Sequence, residues 1–406
     1  LSESLSVQIV IVGGGIAGLW LLNRLSREGF DVVLLEKNAL GTAQTLASQG
    51  IIHGGLKYAL NGVLSPASSA IADMPARWRA CLAGADLVDL RGTHVLSDHY
   101  YMWSSGSVRS RLKTFLGSKA LRGRIDALAT EQYPAFFSEA IRSGKNAIKG
   151  TLYQLADFVV DTPSLLHTLA APWRDRIVQC ADIRLTGDHS MQLTHNDMQI
   201  NVDAKQIILC AGEGNEALLE NWTTTAKKPV MQRRPLHMVS VRVAHEAPPY
   251  VHCIGDSFGM TPRLTITAHP CHNKNNTSWI WYLGGELAES GVALDAEHQQ
   301  ARAQKQLNEL FPWVDFSGAS WHSFFVSRAE PCVADLQRPD NAHVSECGKV
   351  LVCWPTKLTL SPNLGDTVRG LLAVDLSPEG QSSGSQKLVS LLPAAVFADA
   401  PWEQIR

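Results

Sequence analysis

The stretch Val7–Lys37, VQIVIVGGGIAGLWLLNRLSREGFDVVLLEK, restricts the fold of this chain more than any other. Val7–Val12 is apolar and rich in β-branched residues, the composition of a strand buried on both faces of a parallel sheet. Gly13, Gly15 and Gly18 follow at G-x-G-x-x-G spacing. Apolar residues at helical intervals predict a helix over Ile16–Glu28, with Gly29 as its stop. Asp31–Leu35 reads as a second buried strand, and it closes on Glu36, a carboxylate about 20 residues beyond the glycines. Each part has a physical task. Gly13 allows the tight turn, Gly15 lets a pyrophosphate approach the backbone, and Gly18 brings helix and strand together. The helix start, with Ile16 and Ala17, offers N–H groups and a positive dipole end to phosphates. Glu36, followed by Lys37, is placed to accept hydrogen bonds from ribose hydroxyls. A glycine triplet alone is weak evidence. Strand, triplet, helix, strand and acid in this order predict dinucleotide binding.

The rest of the composition bounds what surrounds that unit. A chain of 406 residues has room for two or three domains. A formal charge of −2 argues against a nucleic-acid partner bound by bulk charge. No apolar run approaches the ~20 residues of a membrane span, and the early start of the fingerprint strand leads us to expect no signal peptide ahead of it. The eight cysteines are scattered without a C-x-x-C pair, so no zinc site is expected and a reducing, cytoplasmic setting is. The N-x-S/T sequons at Asn221, Asn275 and Asn276 are expected to be chance matches.

Beyond Glu36, seven of the residues from Gly41 to Tyr58 are Gly, Ala or Ser, a composition that lets backbone lie against a flat ligand. A helix is expected over Ser68–Ala83, and an extended segment over Asp86–Val95. Tyr100–Arg124 carries Arg109, Arg111, Lys113, Lys119, Arg122 and Arg124 with Tyr100, Tyr101, Trp103 and Phe115, and no acid. It reads as a solvated basic flap or as a contact for an anionic membrane face or an acidic partner. Asp161-Thr-Pro opens a helix running to about Trp173. Strands are expected at Arg176–Leu185, Met191–His195, Met198–Val202 and Gln206–Cys210, the last ending in Ala211-Gly212, where a main chain can pass close to a cofactor. From Pro229 to Leu287 the pattern alternates as HMVSVRV, RLTITAH and SWIWYLGGE, which predicts a largely antiparallel layer. A helix over His298–Leu310, a strand over Lys349–Cys353 and a helix over about Leu364–Val374 complete the pattern.

These features together resemble the D-amino-acid-oxidase-like superfamily of FAD-dependent oxidoreductases over nearly the whole chain. SQGIIHGGLKY is similar to the IHGG segment of FAD-linked glycerol-3-phosphate dehydrogenases and to the matching segment of L-2-hydroxyglutarate dehydrogenases. TKLTLSP resembles the KLT element of the glycerol-3-phosphate group. Two stretches depart from the pattern: the basic-aromatic insert, and Trp354-Pro355-Thr356, where many members carry glycines. The resemblance implies an α/β (α+β) architecture, a Rossmann-like FAD-binding domain with a β-rich substrate domain. It divides the chain into 1–95, 155–228 and 327–406 for FAD, and 96–154 and 229–326 for the substrate or cap. FAD rather than NAD agrees with the single glycine fingerprint. Carried onto this sequence, cofactor contacts are expected from Ala43, Ser48, Gln49, Gly50 and Ile52, from Ala211 and Gly212, and from Thr356, Lys357, Leu358 and Thr359.

Flavin enzymes of this type move a hydride from a carbon bearing OH or NH, and fold alone does not name the substrate. The expected reaction is oxidation of a small anionic substrate: a 2-hydroxy acid, an amino acid or a glycerol-phosphate-like polyol. The alternatives are an amine or amino-acid oxidase using O2, or a redox-quiet flavin-binding subunit of a larger complex. No residue marks the electron acceptor, whether a quinone, O2 or a carrier. His53 is the candidate base; the bland reading is a histidine bonding a flavin oxygen, and resemblance to dimethylglycine-dehydrogenase-like proteins adds covalent attachment as a third. Arg328 is the candidate anion clamp, against a structural pair with Glu330. Arg233, Arg234 and Arg263 are weaker clamps. Lys357 is expected beside the flavin pyrimidine, with Ser361 or Asn363 capping the following helix. Tyr58 and Tyr282 are candidate cavity walls.

Overall fold

The computed structural model describes residues 4–55, 71–105, 125–142, 150–254, 262–273, 276–333, 341–372 and 376–405. Two eight-stranded sheets and a small three-stranded one form the frame. In the first, β1 (Leu5–Val12) lies between β2 (Val32–Glu36) and the strand Met198–Leu209, parallel to both. Helix α1 (Ile16–Arg27) crosses between β1 and β2 as the fingerprint predicts. Residues of β1 are buried on both faces: Ile9 and Ile11 pack towards Leu19, Leu22 and Leu364, and Val10 and Val12 towards Leu209, Val352 and Leu388.

The separate strands expected at Met198–Val202 and Gln206–Cys210 are one strand of 12 residues. Asp203 and Lys205 interrupt the apolar run, yet both stand exposed on one side of the pleat while Val202, Ala204 and Gln206 are buried. The interruption is in polarity and not in backbone pairing. The first half of this strand pairs antiparallel with Ser190–His195, and its second half runs parallel to Val350–Trp354. The segment expected as Arg176–Leu185 is two strands, Ile177–Gln179 and Asp182–Leu185.

The second sheet runs in the order Ser320–Pro331, Met231–Val243, Asn276–Gly284, Leu264–Asn273, Val251–Ile254, Tyr100–Ser105, Gly150–Leu155, Ile125–Ala127. All of its pairings are antiparallel except Val251–Ile254 with Tyr100–Ser105. The layer read from alternation thus recruits strands on either side in sequence, and Ser320–Pro331 continues through residue 327. Tyr100 and Trp103 are buried core residues of this sheet, 0% and 8% exposed, so neither is available to a lipid surface. The basic residues Arg109–Arg124, like Lys57 and Tyr58, lie outside the described residues. No helix of the described residues is long and apolar enough to cross a membrane.

Asp161 caps its helix as expected, accepting a 2.9 Å hydrogen bond from Ser164 N. That helix, Thr162–Ala170, passes into a 3-10 turn before Trp173. The third sheet joins Ile51–Ile52, Phe158–Val160 and Val95–Ser97 and holds the residues just before His53. The predicted helix ending at Ala83 is described as Met74–Leu82.

Candidate active site

The glycine turn sits where β1 hands over to α1. Gly13 has φ +112°, and a Cβ there would lie 2.5 Å from the Cys210 carbonyl oxygen. Gly18 is set back from the surface: its Cβ would fall 1.9 Å from the Gly13 oxygen, so any side chain would push α1 off the turn. Gly14 N–H donates to Glu36 Oε2 at 2.5 Å, and Asn38 N–H to Glu36 Oε1 at 2.8 Å. These bonds hold the buried Glu36 carboxylate at the end of β2, beside the turn.

From here a cavity of about 1160 Å³ extends towards the second sheet. Ligand pockets commonly run to about 1,000 Å³, so there is room for a dinucleotide and a small substrate. Gly13, Gly15, Ile16 and Ala17 line one end with Glu36 and Lys37. Ala43, Ser48, Gln49 and Gly50 also line the cavity, as do Ala211 and Gly212. Thr356, Lys357 and Leu358 line it further along. Ile52 and Thr359 stand behind that lining: both are buried, and Thr359 Oγ1 accepts from His53 N–H at 3.0 Å while reaching Ile51 O at 3.3 Å. Trp78 Nε1 donates to Thr359 O at 2.9 Å, which anchors the loop before the helix Ser361–Leu371.

That loop carries an unusual backbone. Thr356 has φ +60°, a left-handed conformation disfavoured for a β-branched residue. Its hydroxyl donates to Asn341 O at 3.0 Å. Lys357, 7% exposed, follows directly. Neither Ser361 nor Asn363 caps the helix Ser361–Leu371, because a 3-10 turn over Leu358–Leu360 precedes it and Ser361 Oγ donates back to Leu358 O. The helical N-terminus is thereby moved up to Leu358, at the cavity wall.

The lining also includes Asp157, His252 and Glu289. His53 and Arg328 both open into the cavity. His53 Nδ1 lies 3.1 Å from Asp157 Oδ2, and Gly54 N–H donates to Asp157 Oδ1 at 2.8 Å. Asp157 is 4% exposed. His252, from Val251–Ile254, lies parallel to His53 with ring centroids 6.1 Å apart, and its Nδ1 is 3.0 Å from Thr265 Oγ1. Side-chain ligand atoms of His53, Asp157 and His252 lie within 4.8 Å of one another, a donor set a divalent cation could use. The two Asp157 oxygens are engaged by Gly54 N–H and His53 Nδ1.

Arg328 does not pair with Glu330. Its Nη2 donates to Glu289 Oε1 at 3.0 Å, whereas Glu330 is bound by Arg234 at 2.7 and 2.8 Å. The cross-strand register puts Arg234 opposite Arg328, and the bidentate geometry suits the Arg234–Glu330 pair. The weaker clamps are likewise engaged: Arg233 by Glu216 and Glu213, Arg263 by Glu309. Tyr282 is no cavity wall. It is fully buried, donates to Ala47 O at 2.7 Å, and burial pushes its phenol well up from its ordinary value. Cys353 lines the cavity too, but burial and the neighbouring Cys210 thiol push it well up, so it stays neutral. Gln49, Gln44 and Tyr282 tie the 44–49 loop to the second sheet: Gln49 Nε2 donates to Thr265 O and Tyr282 O, and Gln44 Nε2 to Ser327 O.

Sequence reasoning had not singled out Asp157, His252 and Glu289. The first two carried a readable signal, an acid between the apolar runs Gly150–Leu155 and Phe158–Val160 and a histidine on an apolar strand. Glu289 carried none, because its partner is 39 residues away.

This combination of glycine turn, ribose-side acid and flat small-residue wall defines a dinucleotide-binding oxidoreductase. Residues 8–346 match the FAD dependent oxidoreductase family, and the chain belongs to it. It is an enzyme, and FAD is its cofactor. It is 43% identical over 404 residues to the probable FAD-dependent oxidoreductase PA4991 of Pseudomonas aeruginosa, covering 99% of this chain and 98% of that one. The crystal structure of that protein matches with a TM-score of 0.81 at 39% identity, over 100% of this chain and 99% of the other. The FAD-bound L-alpha-glycerophosphate oxidase of Mycoplasma pneumoniae gives a TM-score of 0.63 at 14% identity, over 93% and 98% of the two chains. Glycine oxidase from Geobacillus kaustophilus gives 0.58 at 17%, over 94% and 99%. At these last identities the likeness is one of fold.

The residues present fit FAD. The turn at Gly13–Gly15 has no side chain to block a pyrophosphate, the α1 N-terminus faces it, and Glu36 presents a buried carboxylate where ribose hydroxyls are expected.

Proposed function

We propose that this enzyme oxidises a small carboxylate-bearing substrate, a 2-hydroxy or amino acid, at the carbon next to its OH or NH group. Bound FAD supplies the two-electron acceptor. The observation that carries the reading is that His53 and Arg328 open into one cavity with the flavin-side segments 48–50 and 356–358. Arg328 binds the carboxylate, and its planar fork suits that group. His53 takes the proton of the substrate OH or NH. Lys357 and the helical N-terminus at Leu358 favour negative charge beside the ring.

Glu289 narrows the anion. A phosphate dianion taken up by Arg328 would lie against the Glu289 carboxylate, whose oxygen is 3.0 Å from the guanidinium. A monocarboxylate meets less repulsion, and an amino acid brings an ammonium of the opposite sign. This supports hydroxy or amino acids over glycerol phosphate. Eight unpaired cysteines, seven of them buried, support a reducing, cytoplasmic setting.

The test is anaerobic bleaching of the flavin's visible band across 2-hydroxy acids, amino acids and glycerol phosphate. Bleaching by a monocarboxylate and not by glycerol phosphate is the expected result. Bleaching by glycerol phosphate alone, or by none of them, would sink the proposal. Reoxidation by air with release of peroxide would identify O2 as an acceptor.

A further inference from the structure

Among the described residues four acids are buried, Asp31, Glu36, Glu330 and Asp157. Asp157 sits between two apolar strands with only 4% of its surface exposed. A carboxylate there is costly unless N–H donors offset its desolvation. Gly54 N–H donates to Oδ1 at 2.8 Å, and His53 Nδ1 faces Oδ2 at 3.1 Å. An ionised carboxylate only accepts hydrogen bonds, so the proton between Asp157 and His53 belongs to His53 Nδ1. The main chain of His53 is pinned separately, its N–H donating to Thr359 Oγ1 at 3.0 Å. With the backbone held by Thr359 and the ring by Asp157, the remaining nitrogen, Nε2, is left as the acceptor of the neutral imidazole.

We propose that Asp157 is a positioning residue: it fixes His53 as the Nδ1–H tautomer and reserves the Nε2 lone pair for the substrate proton. The inference rests on the reading of His53 as base. In the step it serves, the substrate O–H or N–H proton passes to His53 Nε2. Bound FAD would supply the acceptor for the two electrons of the substrate C–H bond, so the oxidation balances. The imidazolium that forms then has the Asp157 carboxylate on its other nitrogen, which offsets its charge. Nothing about FAD binding alone requires a carboxylate at 157. An amide would accept from Gly54 N–H equally well.

That last point makes Asp157→Asn a sharp test. Its Oδ1 can still take the Gly54 N–H, leaving an NH2 facing Nδ1, which forces His53 into the Nε2–H tautomer with no lone pair for substrate. Two readouts are needed. Nitrogen-15 spectra of the histidine-labelled holoenzyme, recorded without substrate, report the tautomer without any turnover. Stopped-flow reduction of the FAD-loaded enzyme by the best substrate of the panel reports rate and substrate affinity separately. Wild type should show Nδ1–H at His53, and Asp157→Asn should show Nε2–H. Flavin reduction in Asp157→Asn should slow by about a hundredfold or more with substrate affinity little changed. The double variant with His53→Asn should be no slower than His53→Asn alone, because both remove one device.

A wild-type Nε2–H tautomer overturns the proposal, and this measurement stands even if Asp157→Asn does not fold. Wild-type reduction rates in Asp157→Asn, or a double variant slower by the product of the two single effects, also overturn it. Should His53→Asn reduce at the wild-type rate, the base assignment fails instead, and the tautomer spectra still decide whether Asp157 sets the ring.

Discussion

The two ends of the cavity are built in opposite ways. At the nucleotide end the elements that matter, β1, Gly13–Gly18, α1 and Glu36, lie within one continuous stretch, and their contacts are mostly backbone: Gly13 against the Cys210 carbonyl, Gly18 against Gly13, Gly14 N–H on Glu36. At the proposed substrate end the groups are side chains brought together from elements far apart in sequence. Asp157 is 104 residues from His53, and Thr359 is 306 residues from it. The first end is mostly a local device, closed by the distant Cys210 carbonyl, and it tolerates almost no change of shape. The second is a long-range assembly whose members can be exchanged one at a time. This contrast explains how one cofactor cradle can face different substrates.

The contrast can be broken by substitution, and the largest effect should come from the glycines. Gly18→Ala puts a methyl 1.9 Å from a backbone oxygen, where no flexible side chain can yield. Overpacking of this kind costs about 1–3 kcal/mol, and here it also displaces the turn. The purified variant should hold little or no FAD and melt at a lower temperature. Full flavin content by absorbance would show that the turn is less rigid than described.

At the other end, His53→Asn should leave FAD bound and slow flavin reduction by about a hundredfold or more. Stopped-flow traces at saturating substrate check this, and an unchanged limiting rate would return His53 to a structural role. Arg328→Ala comes next. A charge-assisted bidentate contact is worth about 1.5–3 kcal/mol, so substrate capture should weaken about ten- to a hundredfold with a smaller effect on the limiting rate. An effect confined to the limiting rate would place Arg328 elsewhere than on the carboxylate.

The smallest expected change is at Glu289. Glu289→Gln removes a charge beside Arg328 but keeps the shape. Binding of a simple carboxylate should tighten by a few-fold, at about 1.4 kcal/mol per decade, while glycerol phosphate should gain more than a monocarboxylate. Equal gains for both, measured by flavin spectral titration, would remove Glu289 from the account of specificity.

The legibility of the sequence follows the same division. The fingerprint, Glu36, the cap at Asp161 and the antiparallel alternation after Pro229 could be read because each signal and its structural consequence lie within a few turns or strands. The partner of Arg328 could not. Sequence proximity suggested Glu330, two positions along the same strand, but cross-strand pairing gives Glu330 to Arg234 and leaves Arg328 to the short helix Glu286–Ser290. Tyr100 and Trp103 were read with the basic segment that follows them, although strand pairing places both in a core. The cap expected at Ser361 or Asn363 failed because a 3-10 turn moved the helical N-terminus three residues earlier. In each case the deciding contact was made by a strand or turn whose position the local pattern does not encode.

The long strand Met198–Leu209 has a consequence for how the enzyme is made. β1 is synthesised early, but its parallel neighbour on one side is this strand, which in turn pairs with Val350–Trp354. The turn at Gly13 rests on Cys210, and His53 N–H waits for Thr359, 306 residues later. Domains fold as units during translation only when their parts have emerged, and parallel pairings of such separation are slow to form. The cofactor cradle, although written near the front of the chain, is therefore completed only after Val350–Trp354 and Thr359 have emerged. A ribosome stalled before Val350 should display a nascent chain that binds no FAD.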